Sequence, residues 1–141
     1  MIIAAGYLLD TNIISETRKT RANGGVMAFL SAADAAGLFL SVLTLGELRK
    51  GVAAKRRTDP AAADRLAAWV NGIEMTFADR ILPVDAAAAT RWGELSAGRN
   101  LAVVDTLIAA TAIAQGLTLV TRNTRDVKVT GVPLIDPWQV R

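Results

Sequence analysis

The chain has 141 residues, 52% hydrophobic and 21% charged, which excludes a disordered tail and suffices to bury the core of one domain. It holds no His and no Cys, so imidazole bases, thiolate nucleophiles and the usual zinc ligands are excluded. Sixteen Lys+Arg against 13 Asp+Glu leave a net charge of +3, which permits a polyanionic partner without requiring one.

The apolar opening Met1–Leu9 lacks the positive leading segment of a signal peptide, and Asp10 ends it. The later apolar stretch Leu101–Ala114 is too short to span a bilayer and contains Asp105. The expectation is a soluble, cytoplasmic protein with no membrane contact.

Tyr7–Leu9 reads as a short buried strand, and Asp10-Thr11-Asn12 offers N-cap chemistry for a helix through Ile13–Glu16. Asn23-Gly24-Gly25 breaks the chain before a helix over Val26–Ala35, which Gly37 stops. Leu38–Ser41 is the next strand. Val42–Arg57 reads as a helix with Val42, Leu45, Leu48 and Val52 on one apolar stripe. Gly46 and Gly51 are costly inside a helix, and predict close approach by another backbone or a ligand.

Asp59-Pro60 opens a helix running to about Phe77. Ile81–Val84 contains Pro83 and is placed at a sheet edge. Asp85 caps a helix through Trp92 and Leu95. Val103–Gln115 is helical with Gly116 as its stop, Leu117–Thr121 is a strong strand, and Pro133–Ile135 a short last one. Short apolar strands alternating with helices predict an α/β sandwich with a mostly parallel sheet.

Four acids sit where strands end or buried helices begin or turn: Asp10, Glu47, Asp105 and Asp126. Clustered carboxylates suit hard cations such as Mg2+ or Mn2+. Each also has a plain structural reading. Asp10 serves as an N-cap, Glu47 as a solvated surface group, Asp105 as a first-turn acid on free backbone N–H groups, and Asp126 as a turn residue. Asp105 is the sharpest case, because its helical neighbours Leu101, Ile108, Ala109 and Ala112 leave a carboxylate poorly solvated. Asp34, Asp59, Asp64, Asp79 and Asp85 read as surface or capping groups, and Asp136 as a turn.

Five segments in register resemble the PIN-domain ribonucleases, specifically the VapC-like toxins of type II toxin–antitoxin modules. They are Leu8-Leu9-Asp10-Thr11-Asn12-Ile13-Ile14-Ser15-Glu16, Ser41–Gly51 around Glu47, Asp105–Ala112, Gly116–Asp126, and Gly131–Trp138. Thr106, Val127 and Asp136 depart from residues more usual in the family, but no core acid is lost. The resemblance implies a single PIN domain over 1–141, a PIN-like α/β/α sandwich. It implies metal binding and catalysis by Asp10, Glu47, Asp105 and Asp126, with Thr11, Asn12, Thr121 and Asn123 in support.

The implied reaction is hydrolysis of RNA phosphodiester bonds assisted by Mg2+ or Mn2+, since a bound ion activates water near neutral pH without a His. Arg18, Lys19, Arg21, Arg49, Lys50, Arg122 and Arg125 are candidates for phosphate contact, while Lys55-Arg56-Arg57 reads as a solvated helix end. With few aromatics, no stacking platform for bases is apparent. The resemblance also implies a homodimer and a cognate antitoxin protein. The alternative is a PIN-like binding or regulatory protein with little or no turnover.

Overall fold

The computed structural model describes residues 6–139, so Met1–Ala5 of the apolar opening lies outside the described residues. Five strands form one sheet, β1 (Tyr7–Leu9), β2 (Leu38–Ser41), β3 (Ile81–Leu82), β4 (Thr118–Val120) and β5 (Leu134–Ile135). Their order is β3-β2-β1-β4-β5 and every pairing is parallel. Parallel neighbours need crossover connections, which here carry the helices α1 (Thr11–Thr17), α2 (Gly24–Ala32), α3 (Val42–Arg56), α4 (Pro60–Thr76), α5 (Ala86–Ser96), α6 (Val103–Gln115) and the short α7 (Thr124–Val127).

The helix starts follow the expected local chemistry. Asp10, Asn23, Asp59 and Asp85 each accept a backbone N–H from the helix they precede, each cap being worth about 1 kcal/mol. Gly116 ends α6 at φ 69°, a left-handed conformation that favours glycine. Asp136 accepts from Trp138 N at 2.9 Å, forming the expected turn. The expected helix over Val26–Ala35 differs in its bounds. It begins at Gly24, ends at Ala32, and is followed by a 3-10 turn over Ala35–Gly37.

Strand alternation divides the core into two layers. Leu9, Leu40 and Val120 face a layer with Ile13, Ile14, Val26, Leu48, Val52 and Val70. Leu8 and Leu119 face the opposite layer with Ile108, Ala109, Ala112 and Val127. This is the α/β/α sandwich expected of the sequence, with helices on both faces of a parallel sheet. Among the described residues no helix is long and apolar enough to cross a membrane.

Two expectations about α3 are corrected. Its buried stripe is Thr44, Leu48 and Val52, while Val42 is 38% exposed. Ser41 ends β2 and caps α3 directly, so the first turn of α3 stands at the sheet's end, where Val42 borders a cleft with Val104. Gly46 and Gly51 meet no close atoms; a Cβ at either would find open space. Gly46 lines one cleft and Gly51 lines two.

Candidate active site

The strand order runs outward in both directions from β1: to β2 and β3 on one side, to β4 and β5 on the other. In open parallel sheets the crevice at such a reversal, outside the carboxyl ends of the strands, is where ligands bind. Asp10 leaves β1 at that point, and its backbone N–H donates to Val120 O at 2.9 Å. Thr121 leaves β4 beside it.

Asp10 is buried, with 8% exposure, and held from several directions. Its Oδ1 accepts from Thr11 N at 2.8 Å. Its Oδ2 accepts from Thr121 Oγ1 at 2.8 Å and, at 3.4 Å, from Asn12 Nδ2. Burial raises its pKa above the ordinary 3.8; the bonds from Thr121 and Thr11 pull it down, and the charges of Asp105 and Glu47 push it up.

Thr121, fully buried, is the knot of the site. Its Oγ1 also accepts from Asn12 Nδ2 at 3.2 Å and from Asn123 N at 3.0 Å. Asn12 in turn accepts from Arg122 N at 3.2 Å. The β1–α1 and β4–α7 junctions are thereby tied across more than a hundred residues of chain.

Asp105 lies in the first turn of α6, half-buried. Its Oδ2 accepts from Asn123 Nδ2 at 3.3 Å. Burial raises its pKa first, then the charges of Glu47 and Asp126, against the lowering bond from Asn123. Glu47 is exposed on α3, yet its Oε1 accepts from Thr11 Oγ1 at 2.6 Å. Thr11 Oγ1 lies 3.1 Å from the buried Thr44 Oγ1. Asp126, exposed on α7, is joined to the group only through its charge on Asp105.

The other acids are accounted for elsewhere. Among the described residues Glu16, Asp64, Glu74, Asp79 and Glu94 pair with Lys or Arg. Asp34, Asp59, Asp85 and Asp136 serve as caps or a turn. The four acids that neither pair with a cation nor serve only as a cap or turn are Asp10, Glu47, Asp105 and Asp126, whose charges act on one another at the sheet's carboxyl end.

A family profile described as PIN domain matches residues 7–131. The chain belongs to the PIN-domain family. A relative, the VapC ribonuclease Y4jK of Sinorhizobium fredii, is 35% identical over 141 residues, covering 94% of this chain and 97% of its own. The crystal structure of FitAcB from Neisseria gonorrhoeae is similar at a TM-score of 0.86 and 34% identity, over 95% of this chain and 99% of that one. A toxin–antitoxin complex from Klebsiella pneumoniae matches at 0.66 and 27% identity, over 96% and 100%. The VapC-like resemblance drawn from five segments is borne out, and the acid cluster lies inside the matched PIN domain.

Around this PIN domain's acids the cations sort unevenly. Lys19 pairs with the buried Glu16, and Arg49 bonds Asn71 and Glu74. Arg56 pairs with Asp64, in keeping with a solvated helix end. Arg122 stacks over Trp138 at 5.0 Å and Arg18 over Trp69 at 5.8 Å. Glu16 was not foreseen as a buried acid with a cation partner. It accepts from Asn23 N at 2.9 Å and from Lys19 at 2.9 Å, and these bonds hold its pKa below the ordinary value. Trp69, which the sequence offers as core packing or an association surface, packs against the core and lines a cleft with Glu47, a place that depends on how α4 docks on α3.

Proposed function

We propose that this PIN domain is the toxin of a type II toxin–antitoxin pair and hydrolyses RNA phosphodiester bonds with Mg2+ or Mn2+. The observation that carries the reading is the convergence of Asp10, Glu47, Asp105 and Asp126 with no Lys or Arg paired to them among the described residues. Buried like charges raise each other's pKa, and such an arrangement favours a bound cation.

The donor set is all oxygen, which suits a hard divalent ion. Among the described residues no group of three or more acids is spaced to grip one ion directly. Contacts to an ion would then run partly through water, as Mg2+ allows by keeping several waters and taking one or two carboxylates. When bound, such an ion supplies activated water near neutral pH and offsets charge on the phosphate.

The chain's own residues supply position. Thr121, Thr11 and Asn12 fix the Asp10 carboxylate, Asn123 orients Asp105, and Thr11 orients Glu47. Asp126 completes the negative rim. Water adds to phosphorus, the 3′ oxygen leaves and takes a proton, and the products are a 5′-phosphate and a 3′-hydroxyl. A metal-free route through the 2′-hydroxyl normally calls for an acid and base of the His kind, and the chain has no His.

The partner in this reading is a cognate antitoxin, supported by the toxin–antitoxin complex among the similar structures. An antitoxin Arg inserted among these carboxylates would neutralise them as a cation does. The homodimer belongs to the same reading, supported by Val42 and Val104, which stand exposed at the cleft between α3 and α6, and by the exposed Val103 next to them in α6.

The test is cleavage of a panel of structured and single-stranded RNAs by antitoxin-free protein in Mg2+, Mn2+ or EDTA, beside Asp105→Asn. Metal-dependent cleavage that is lost in the variant is expected. Cleavage by both proteins alike, EDTA included, would overturn the metal-dependent site, and absence of cleavage by either, with no Mg2+ or Mn2+ binding by calorimetry, would overturn the reading in favour of a binding protein.

A further inference from the structure

Beside the acid cluster, α1, α3 and α4 enclose a cleft of about 340 Å3. Its walls are apolar, from Leu48, Leu66 and the ring of Trp69. Its rim is polar, from Ser15, Arg18 and Lys19. Thr11 and Glu47 close the end nearest the acids, and the 2.6 Å bond between them forms the shared wall. One end of the cleft is thus the carboxylate site itself.

We propose that this cleft is a base-specificity subsite that receives one unstacked nucleobase of the RNA strand whose backbone crosses the acid cluster. The proposal rests on the nuclease reading for its substrate and goes beyond it by naming where that substrate is read.

Three features point to a base. The volume is near the lower end of small-ligand sites and leaves ample room for a single ring system. Trp69 lines the cleft, and the Arg18 guanidinium lies over its ring at 5.8 Å, a contact a base would share or replace. Single-stranded RNA is recognised by such surfaces, its bases stacking on aromatic rings and guanidinium planes. Charge decides the rest. Arg18 is exposed and has no acid partner among the described residues, so it is free to turn from the indole to a phosphate. A neutral flat ring joined to an anionic backbone meets both the apolar floor and the basic rim.

Trp69 is partly buried against the core, so a stacking role is separated from a packing role by comparing an aromatic with an aliphatic replacement and by asking whether the loss depends on one base. Binding of fluorescein-labelled single-stranded RNAs is measured in the Asp105→Asn background, with Trp69, Trp69→Phe and Trp69→Leu. The RNAs carry an abasic residue at each position in turn. Trp69→Leu is expected to weaken binding roughly tenfold, in line with loss of one base stack. Trp69→Phe keeps most of the affinity. One abasic position abolishes the difference between Trp69 and Leu, and Arg18→Ala weakens binding of intact and abasic RNA alike.

A Trp69→Leu loss that is the same for every abasic RNA overturns the proposal, as does no loss at all. Weakened antitoxin binding with unchanged RNA binding also overturns it and makes the cleft a protein-docking groove. Cleavage by the wild-type chain is followed in parallel. If base coupling at Trp69 is seen without any cleavage, the subsite stands and the nuclease reading falls.

Discussion

Thr121→Val removes one hydroxyl from a fully buried, nearly isosteric side chain, so it creates no cavity. The lost bond to Asp10 Oδ2, 2.8 Å long and buried, is charge-assisted while Asp10 is ionised, and such bonds contribute roughly 1.5–3 kcal/mol. Asn123 N and Asn12 Nδ2 lose an acceptor, but both are only partly buried and can reach water. The added methyl returns up to about 0.8 kcal/mol. The expected net cost is about 2 kcal/mol at neutral pH.

At about pH 3, below the ordinary 3.8 from which its pKa is raised, Asp10 is largely neutral, and the lost bond is then worth about 1 kcal/mol. The sign agrees with linkage. A folded pKa raised above the unfolded one contributes stability that is full below the unfolded pKa and lost as pH rises through the folded one. Losing the Thr121 bond raises that pKa further, so the variant's deficit grows with pH. Urea unfolding of wild type, Thr121→Val and Thr121→Ser at both pH values reads this directly. Thr121→Ser keeps the hydroxyl and should show a deficit independent of pH. A Thr121→Val deficit equal at the two pH values, or below about 0.5 kcal/mol, would refute the claim that this hydroxyl anchors an ionised carboxylate.

Gly25→Ala would drive its Cβ into Pro137 O, so the start of α2 or the 136–138 turn must move. A cost of about 1–3 kcal/mol is expected by thermal unfolding, whereas Gly24→Ala, with nothing within 4 Å, should cost little or stabilise. Asp10 and Asp105 both have raised pKa values, so cation-free protein should lose stability as pH rises through them. Added Mg2+ should therefore raise the unfolding temperature more at neutral pH than at about pH 4, and equal shifts would count against ion binding by these acids. Glu16 has a lowered pKa, so its stabilisation is present above about 4.5 and lost as pH falls through the folded value. Glu16→Gln should narrow the gap in stability between neutral and acid pH, and an unchanged gap would show that the charge on Lys19 contributes nothing.

The sequence alone determined what depends on near neighbours along the chain. Asp10, Asp59 and Asp85 are legible as caps because the N–H groups they accept lie within three residues of each. Gly116 is legible as a stop because a left-handed residue there closes the last turn locally. The strands are legible from short apolar runs, and the order of elements followed from them. The convergence of the acids was inferred from resemblance, since nothing local in the chain brings Asp10 to Thr121.

Tertiary structure decided the rest, because periodicity says which residues share a face but not what covers it. The reversal of strand order at β1 placed Asp10 against Thr121 and made Thr121 the residue that ties both junctions. The position of α3 at the sheet's end left Val42 exposed and put Thr44, not Val42, in the buried stripe. The docking of α4 on α3 brought Trp69 under Arg18 beside Glu47, where composition showed only a shortage of aromatics. One well-placed ring is enough to floor a subsite, and its placement is set by contacts between elements far apart in the chain.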